Sequence, residues 1–206
     1  LVTENEYDGG SAGGDGNLTQ QTQHVDASTA RVTNFTFDWR NRRTDTDGEI
    51  DFYEKVYYDN LDRVTKTERY DTTAEGNLIA RSETKYDDRG RAYQTIRHGV
   101  DPSTGSVGNS LIDNTWYGAT GNVIKSLPAG ARMFTKSVHD GLGRRTKQSR
   151  GYDLDETAYS EASTLSDDTL LEQTESSYDA AGAAQASSEA VSGALDALAA
   201  WLATLQ

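Results

Sequence analysis

The residues of this chain that could do chemistry together are an aromatic ring, an aspartate and an arginine that recur at fixed spacing. The clearest copies are Tyr58-Asp59 to Arg63, Tyr86-Asp87 to Arg91, and His139-Asp140 to Arg144. A ring, a carboxylate and a cation could bind a ligand, but they also suit a tight turn. Aspartate bonds its own backbone two residues on, and Gly, Asn or Asp takes the positive φ that closes a hairpin loop with a bulge. We therefore interpret the motif as a structural turn in which the ring ends one strand and the arginine starts the next.

Six copies of this motif occur along the chain. Their aspartates, or the residues that replace them, stand at positions 38, 59, 87, 118, 140 and 179. Repeats at periods of about 20 to 50 residues are typical of arrays in which each unit is stable only against its neighbours. The predicted turn residues are Asp38, Asn41, Tyr58, Asp59, Asp62, Arg63, Tyr86, Asp87, Gly90, Arg91, Tyr117, Gly121, His139, Asp140, Gly143, Arg144, Tyr178, Asp179 and Gly182.

One other segment has the residue types of a metal site. Asp45-Thr46-Asp47-Gly48-Glu49 resembles the middle of a calcium loop, with Glu54 at the place of the last ligand if Arg43 were the first. A cation in that first position does not suit calcium, which needs oxygen donors. We favour an Asp-Gly hairpin turn at residues 45–48. For the acidic residues between Asp153 and Glu175, a solvated charge run is favoured over loose calcium binding.

The remaining side chains give no catalytic pattern. His24, His98 and His139 have no metal-ligand spacing, and His139 stands in the tyrosine position of its repeat. No Ser-His-Asp order and no phosphate-binding loop can be singled out, and carboxylates are too abundant to indicate a glycosidase pair. We therefore predict no enzymatic activity, no cofactor and no metal, although a hydrolase remains the third alternative.

Composition limits the partners. The 206 residues carry a formal net charge of −13, which argues against nucleic acid and anionic membrane surfaces. The chain has no cysteine and no apolar run of membrane-spanning length. Leu, Ile, Val and Phe fall below roughly 20% of residues, a level typical of disordered chains. The 11 tyrosines and 3 tryptophans, most of them in phase with the turns, can replace aliphatic core and favour a folded chain.

We divide the chain into four segments. Residues 1–16 are predicted to be a Gly-rich flexible lead-in, in which Tyr7-Asp8 could be a decayed motif copy, and residues 17–152 a strip of hairpins with longer turns between the motif turns. Residues 153–177 are predicted to be an acidic surface insertion, with a short helix around residues 165–171 as a possibility. Residues 178–206 are predicted to contain the last turn and then, in place of a strand, an Ala-rich amphipathic helix with its apolar stripe from Val191 to Leu205.

The strands between the turns do not have one apolar face. From residue 50, the even positions hold Ile50, Phe52, Glu54, Val56 and Tyr58. Both faces of such a sheet are partly wet, which fits a thin wall better than a sandwich with a dry core. The predicted fold class is therefore all-β, an antiparallel strip of repeated hairpins with a short C-terminal α-helix.

The motif copies at Tyr58-Asp59, Tyr86-Asp87 and His139-Asp140 resemble the YD repeats of the Rhs family of large bacterial surface and toxin-delivery proteins. The resemblance covers residues 37–152 well and 178–182 weakly. It implies an arc of a β-shell, with flanking repeats of the same parent chain as partners, and with a C-terminal passenger such as a toxin enclosed. It also implies secretion or location at the bacterial cell surface. The segment that closes such shells, with its self-cleaving aspartates, has no counterpart here.

The leading hypothesis from the sequence is a structural wall segment of an exported protein. The alternative is a glycan- or protein-binding module that uses exposed rings of the strip, with Trp39, Trp116 and Tyr117 stacking on sugars. Cross-strand packing of these rings is favoured over sugar binding. If the C-terminal stripe and Trp201 are exposed, the predicted helix would also promote self-association.

Overall fold

The computed structural model describes residues 2–10, 14–26, 28–49, 52–153 and 159–190, and this part of the chain is almost entirely β-structure. Fourteen strands form one sheet in which each strand neighbours the strands before and after it in sequence, as the strip of hairpins predicts. The strands are β1 (Val2–Tyr7), β2 (Leu18–His24), β3 (Ala30–Phe37), β4 (Arg43–Gly48), β5 (Phe52–Tyr58), β6 (Val64–Tyr70), β7 (Leu78–Tyr86), β8 (Ala92–Val100), β9 (Val107–Tyr117), β10 (Val123–Leu127), β11 (Phe134–His139), β12 (Arg145–Tyr152), β13 (Thr169–Tyr178) and β14 (Ala184–Ala190).

The chain falls into two compact units. Unit 1 contains Leu1–Lys85 and Thr95–Leu111, and unit 2 contains Tyr86–Gln94 and Ile112–Gln206. Within each unit the hairpins pair in antiparallel register, for example Tyr53 opposite Tyr70 in unit 1 and Phe134 opposite Gly151 in unit 2.

The register shifts by one residue at the motif ring. The shift falls between Tyr57 and Tyr58 in the β5–β6 hairpin, between Val138 and His139 in β11–β12, and between Ser177 and Tyr178 in β13–β14. This is the bulge that a loop closed by a positive-φ residue requires, and it confirms the predicted turn type.

The described residues bury few side chains, and most of those are polar. The buried apolar side chains are Ile96, Phe134 and Ala162, whereas the buried polar ones are Glu68, Lys125, Lys136 and Ser149. With so few buried apolar side chains, the described part of the sheet has no dry core. The prediction that neither face is cleanly apolar is confirmed.

The N-terminal segment is more ordered than predicted. Residues 2–7 form β1, which pairs with β2, and Asp8–Gly10 form a 3-10 turn. The Asp8 carboxylate accepts bonds from the backbone N–H of Gly16 (2.9 Å) and Asn17 (3.0 Å). The prediction of a flexible lead-in is therefore wrong for these residues, and Tyr7-Asp8 is indeed a motif copy with a lengthened loop.

The predicted turn at residues 45–48 is also wrong. Asp45, Thr46, Asp47 and Gly48 belong to strand β4 and pair with β5, and the last of these pairs joins Gly48 to Phe52. The Tyr53 hydroxyl donates a hydrogen bond to Asp45. Cross-strand pairing of these polar residues outweighs the turn tendency of Asp-Gly.

The acidic insertion is not a solvated charge run throughout. A short 3-10 helix spans Tyr159–Ser163, and Leu170 and Leu171 lie in β13, so the possible helix at residues 165–171 is wrong. Asp168, with a side chain 1% exposed, forms an ion pair with Lys136 at 2.7 Å. The Lys136 ammonium also donates to the backbone carbonyls of Glu161 (3.0 Å) and Thr164 (2.9 Å), which holds this segment on β11.

The last described residues form a strand. Ala184–Ala190 make β14, which pairs with β13 along the whole hairpin. The prediction that no strand follows the last turn is therefore wrong, because pairing with β13 overrides the helix propensity of alanine. The predicted helix from Val191 to Leu205 lies outside the described residues. Among the described residues, no helix is long and apolar enough to cross a membrane.

Replacing Asp168 by alanine is expected to lower the free energy of unfolding by about 3 kcal/mol, because it leaves the buried Lys136 ammonium without its carboxylate. Urea denaturation followed by circular dichroism measures the change. The matched control is Glu172→Ala, which removes the partner of Arg150 in a pair whose side chains are 55% and 35% exposed. That control should cost less than about 1 kcal/mol. Equal losses in the two variants would contradict the ion pair's structural role.

Candidate functional site

The repeated turn is built around one aspartate. In the turn at residues 87–91, Asp87 Oδ1 accepts bonds from the backbone N–H of Arg89 (2.9 Å) and Arg91 (2.9 Å). Its Oδ2 accepts from Arg91 Nε at 2.7 Å. Backbone bonds from Gly90 N–H to Asp87 O and from Asp87 N–H to Arg91 O, both 2.9 Å, close the loop. One carboxylate therefore fixes both the loop and the arginine that leaves it.

The same arrangement recurs at Asp38, Asp59 and Asp140, each of which binds the arginine four residues on. The residue before that arginine, or before the residue that replaces it, has positive φ in all six copies, as predicted. The angles are 60° at Asn41, 63° at Asp62, 81° at Gly90, 92° at Gly121, 79° at Gly143 and 86° at Gly182.

The turn lowers the pKa of these carboxyl groups. The Arg42 and Arg91 guanidinium groups, with backbone N–H groups, lower the pKa of Asp38 and Asp87 below the ordinary value of 3.8. At Asp59 burial raises the pKa, but the bonds from Arg63 outweigh it. At Asp140 the backbone N–H of Arg144 has the largest lowering effect. All four aspartates favour the charged form, because the guanidinium and backbone N–H groups donate hydrogen bonds to the carboxylate.

Three of the turns are also joined to the next turn within the same unit, by a contact that we call the inter-turn link. The motif arginine lies over the ring of the next motif, with ring-centroid distances of 4.7 Å for Arg42–Tyr58, 4.4 Å for Arg91–Tyr117 and 4.6 Å for Arg144–Tyr178. The ring's hydroxyl then donates, at 2.9 Å in each case, to the carbonyl of the residue after that arginine. These carbonyls belong to Arg43, Ala92 and Arg145.

Two copies show which part of the motif the turn itself needs. At residues 118–122, glycine replaces the aspartate and asparagine replaces the arginine, yet both backbone bonds of the loop remain, at 2.9 and 3.0 Å. At residues 179–183 the arginine is replaced by Ala183, whose backbone N–H still binds Asp179 at 2.8 Å. Both copies keep the tyrosine that receives an arginine from the preceding turn. The ring therefore serves the inter-turn link, and the positive-φ residue serves the loop.

The rings predicted to stack on sugars have different surroundings. Trp39, in unit 1, is 86% exposed, with the Arg40 guanidinium 5.1 Å from its ring centroid. In unit 2, Lys125 lies 4.8 Å from the Trp116 ring centroid, and Arg91 covers Tyr117. Trp116 and Tyr117 also line a pocket of about 350 Å³ together with Tyr93 and Tyr159. Glycan binding through these rings stays a prediction.

A buried polar network on β5 and β6 escaped the sequence analysis. Glu68, 6% exposed, accepts bonds from the hydroxyls of Tyr57 (2.7 Å) and Tyr70 (3.1 Å) and from Lys66 Nζ (3.0 Å). Lys66 also lies 3.7 Å from the Tyr57 ring centroid. Burial raises the pKa of Glu68, but these donors outweigh it and the pKa is lowered overall. The alternation of side chains along a strand places Lys66, Glu68 and Tyr70 on one face of β6. Only the register of β5 against β6 shows that Tyr57 meets them.

Metal binding finds no support in the described part of the chain, where no group of three or more His, Asp or Glu side chains is arranged to hold an ion. The calcium interpretation of residues 45–54 is therefore not favoured by the geometry, since Asp45 and Glu54 lie in paired strands. His139 ends β11 at the position of the motif ring, as predicted.

The fold and its turns define a repeat protein made of a single antiparallel sheet. No known protein family and no curated protein matches the chain. Solved structures with similarity include the crystal structure of TcdB2-TccC3 (TM-score 0.40, 13% identity) and the Photorhabdus luminescens Tc holotoxin pore with a TccC3 mutation (TM-score 0.38, 14% identity). In both cases the match covers 86% of this chain but only 11% of the other. At this TM-score and identity the likeness does not define a function.

Replacing Tyr117 by phenylalanine removes one hydrogen bond of an inter-turn link but keeps the ring under Arg91. We expect the free energy of unfolding to fall by about 1 kcal/mol, because the Ala92 carbonyl loses its donor. Tyr93→Phe is the matched control, since Tyr93 is 40% exposed and also lies in unit 2. Urea denaturation of both variants measures the difference, and equal stability would contradict the link.

The motif aspartates predict how stability depends on pH. Their pKa values in the folded chain lie below the ordinary value of 3.8 that the unfolded chain restores. Their contribution is therefore present above about pH 4 and is lost as the pH falls through the lowered folded values. Urea midpoints measured from about pH 7 down to about pH 2 should fall in the acid range.

Asp87→Asn should flatten this acid dependence, because asparagine does not titrate. Asp88→Asn, in the same turn, is the matched control and should leave the curve as steep as in the unaltered chain. A curve that Asp87→Asn does not change would show that the acid sensitivity arises elsewhere.

Proposed function

We propose that this chain is a structural wall segment of an exported protein of the Rhs type, and that the wall encloses or displays a C-terminal passenger such as a toxin. The observation that carries the proposal is the inter-turn link. A link from one hairpin to the next is of use only in an array, because it adds nothing to a hairpin that stands alone.

The distribution of burial supports a wall. Glu68, Lys125 and Lys136 are buried on the sheet, whereas large apolar side chains such as Trp39 and Leu142 are exposed. A binding domain with a compact core normally buries its aliphatic residues. Here the hydrogen bonds between strands and the links between turns supply the cohesion that a core supplies elsewhere.

The sheet can be extended by flanking repeats. Strand β1 is the first in the strand order, and its six residues are all exposed. An edge strand presents N–H and C=O groups that a further strand of the same parent chain can pair with. Two residues on β1, Glu4 and Glu6, carry charges of the kind that discourage pairing with unrelated strands.

The charge balance suits a wall around another polypeptide. The net charge of −13 keeps the surface of the wall hydrated, although large apolar side chains such as Trp39 and Leu142 are exposed on it. A passenger beside such a wall is confined rather than bound, and it can leave when the wall opens. This role involves no chemical step by the chain.

Protease protection in the parent protein tests the proposal. The passenger should be cut slowly in the intact parent and rapidly after denaturation. Arg91→Ala combined with Arg144→Ala breaks two inter-turn links and should speed cleavage of the passenger. Arg31→Ala combined with Arg132→Ala, at exposed positions outside the links, is the matched control.

A passenger cut at the same rate in the intact and the denatured parent would contradict enclosure. Rapid cleavage of the wall itself, with the passenger intact, would contradict the wall as the protecting element.

A further inference from the structure

The first part of strand β9 has a free edge. Among the described residues, β10 pairs with β9 only from Asn114 to Tyr117, at the C-terminal end of β9. The residues from Val107 to Leu111 lie in unit 1, with β8 as their neighbour on one side. On the other side, the described part of the chain pairs no strand with them. All of them are exposed, and we call them the β9 edge.

Backbone groups of the β9 edge point away from the sheet. The carbonyl oxygen of Asn109 would stand 3.0 Å from a Cβ added to Gly99 of β8, so the Asn109 carbonyl faces β8. Successive residues of an antiparallel strand direct their N–H and C=O groups to opposite sides. Gly108 and Ser110 therefore direct theirs to the free side, where a further strand can bind them.

The β9 edge lacks the features that keep edge strands apart. It contains no charged residue and no proline, and its apolar side chains Val107 and Leu111 are 42% and 53% exposed. Strand β1, by contrast, carries Glu4 and Glu6. Like charges opposite each other destabilise a strand pair, so a second copy of β1 would be repelled. The β9 edge presents no such charge to a second copy of itself.

Two copies of the β9 edge are complementary in antiparallel register. With Asn109 on the two-fold axis, Val107 of one copy lies opposite Leu111 of the other, and Gly108 lies opposite Ser110. Each Gly108–Ser110 pair then exchanges both of its backbone hydrogen bonds, because both residues face the free side. A shift by one residue would place outward-facing groups opposite inward-facing ones and lose these bonds.

We propose that this chain forms a two-fold symmetric dimer in which the β9 edge pairs with the same edge of a second copy. This inference goes beyond the structural role proposed above and does not depend on it. The Val107–Leu111 contacts cover apolar surface that is exposed in the single chain, and the two Asn109 amides face each other and can exchange hydrogen bonds. An interface this small gives a weak, transient dimer. Because each copy is negatively charged, added salt should strengthen the association.

Single cysteines in the 206-residue chain test the position of the axis, because the unaltered chain has none. Asn109→Cys places two thiols in a pair without backbone hydrogen bonds, where Cα atoms lie about 4.5 Å apart and a disulfide can form. Leu111→Cys separates the two thiols by roughly 13 Å along the strands. Asn60→Cys, at an exposed turn position in the same unit, measures random collision. Under mild oxidation, Asn109→Cys should form the linked dimer on the order of 10-fold faster than either control.

A charge on the axis tests the pairing without oxidation. Asn109→Asp places two carboxylates opposite each other and should weaken the dimer roughly fivefold, as measured by sedimentation at several protein concentrations. Asn60→Asp adds the same charge away from the β9 edge and should leave the association as it is in the unaltered chain. Circular dichroism of each variant checks the fold.

Three results would overturn the proposal. The first is equal disulfide formation in Asn109→Cys and Asn60→Cys, and the second is faster linkage in Leu111→Cys than in Asn109→Cys. The third is a dimer that Asn109→Asp and Asn60→Asp weaken equally, because the association would then involve another surface.

Discussion

The structure depends on two contacts of the motif guanidinium group, one made by its N–H groups and one by its flat face. Its N–H groups close the turn on the aspartate of its own copy, and its flat face lies over the ring of the next copy. At Arg91 both contacts are made at short distance, 2.7 Å to Asp87 and 4.4 Å to the Tyr117 ring centroid. A lysine offers a point charge without the planar fork and could not make both contacts in the same way. The arginine therefore connects local geometry to the order of the hairpins.

This constraint explains how a sheet with few buried apolar residues holds a regular form. Packing against a second layer normally sets the position of each hairpin, but here the turn and its neighbour set it. The buried charges are satisfied inside the sheet, as Glu68 is by Tyr57, Tyr70 and Lys66. The same property makes the sheet sensitive to the loss of single partners, because a buried charge without its partner is costly.

Local chemistry made the motif turns predictable from the sequence. The aspartate, the positive-φ residue and the arginine lie within five residues of one another, so spacing alone reveals the loop and its bulge. The strip of hairpins followed from the repetition of that spacing. Where prediction failed, pairing with the neighbouring strand decided the outcome. Asp45 to Gly48 have turn residues but pair with β5, and Ala184 to Ala190 have helix residues but pair with β13.

The pairing of Lys136 with Asp168 depends on register in the same way. Strand register is set by turns, and the length of the segment after β12 could not be read from its composition. The inter-turn link was only partly predictable from the sequence. The ring and the arginine were both recognised as motif residues, but the sequence could not show that Arg42, Arg91 and Arg144 each meet the ring of the following copy.

The lengthened loop at Asp8 has a consequence for how such chains change over time. Its carboxylate still binds the residue that closes the loop, Asn17, although nine positions separate them instead of four. The two ends of the turn are therefore fixed to each other, and what lies between them is free to vary in length. A turn of this kind can therefore accept added residues, since the loop at Asp8 is five residues longer than the loop at Asp87 while β1 and β2 on either side of it stay paired.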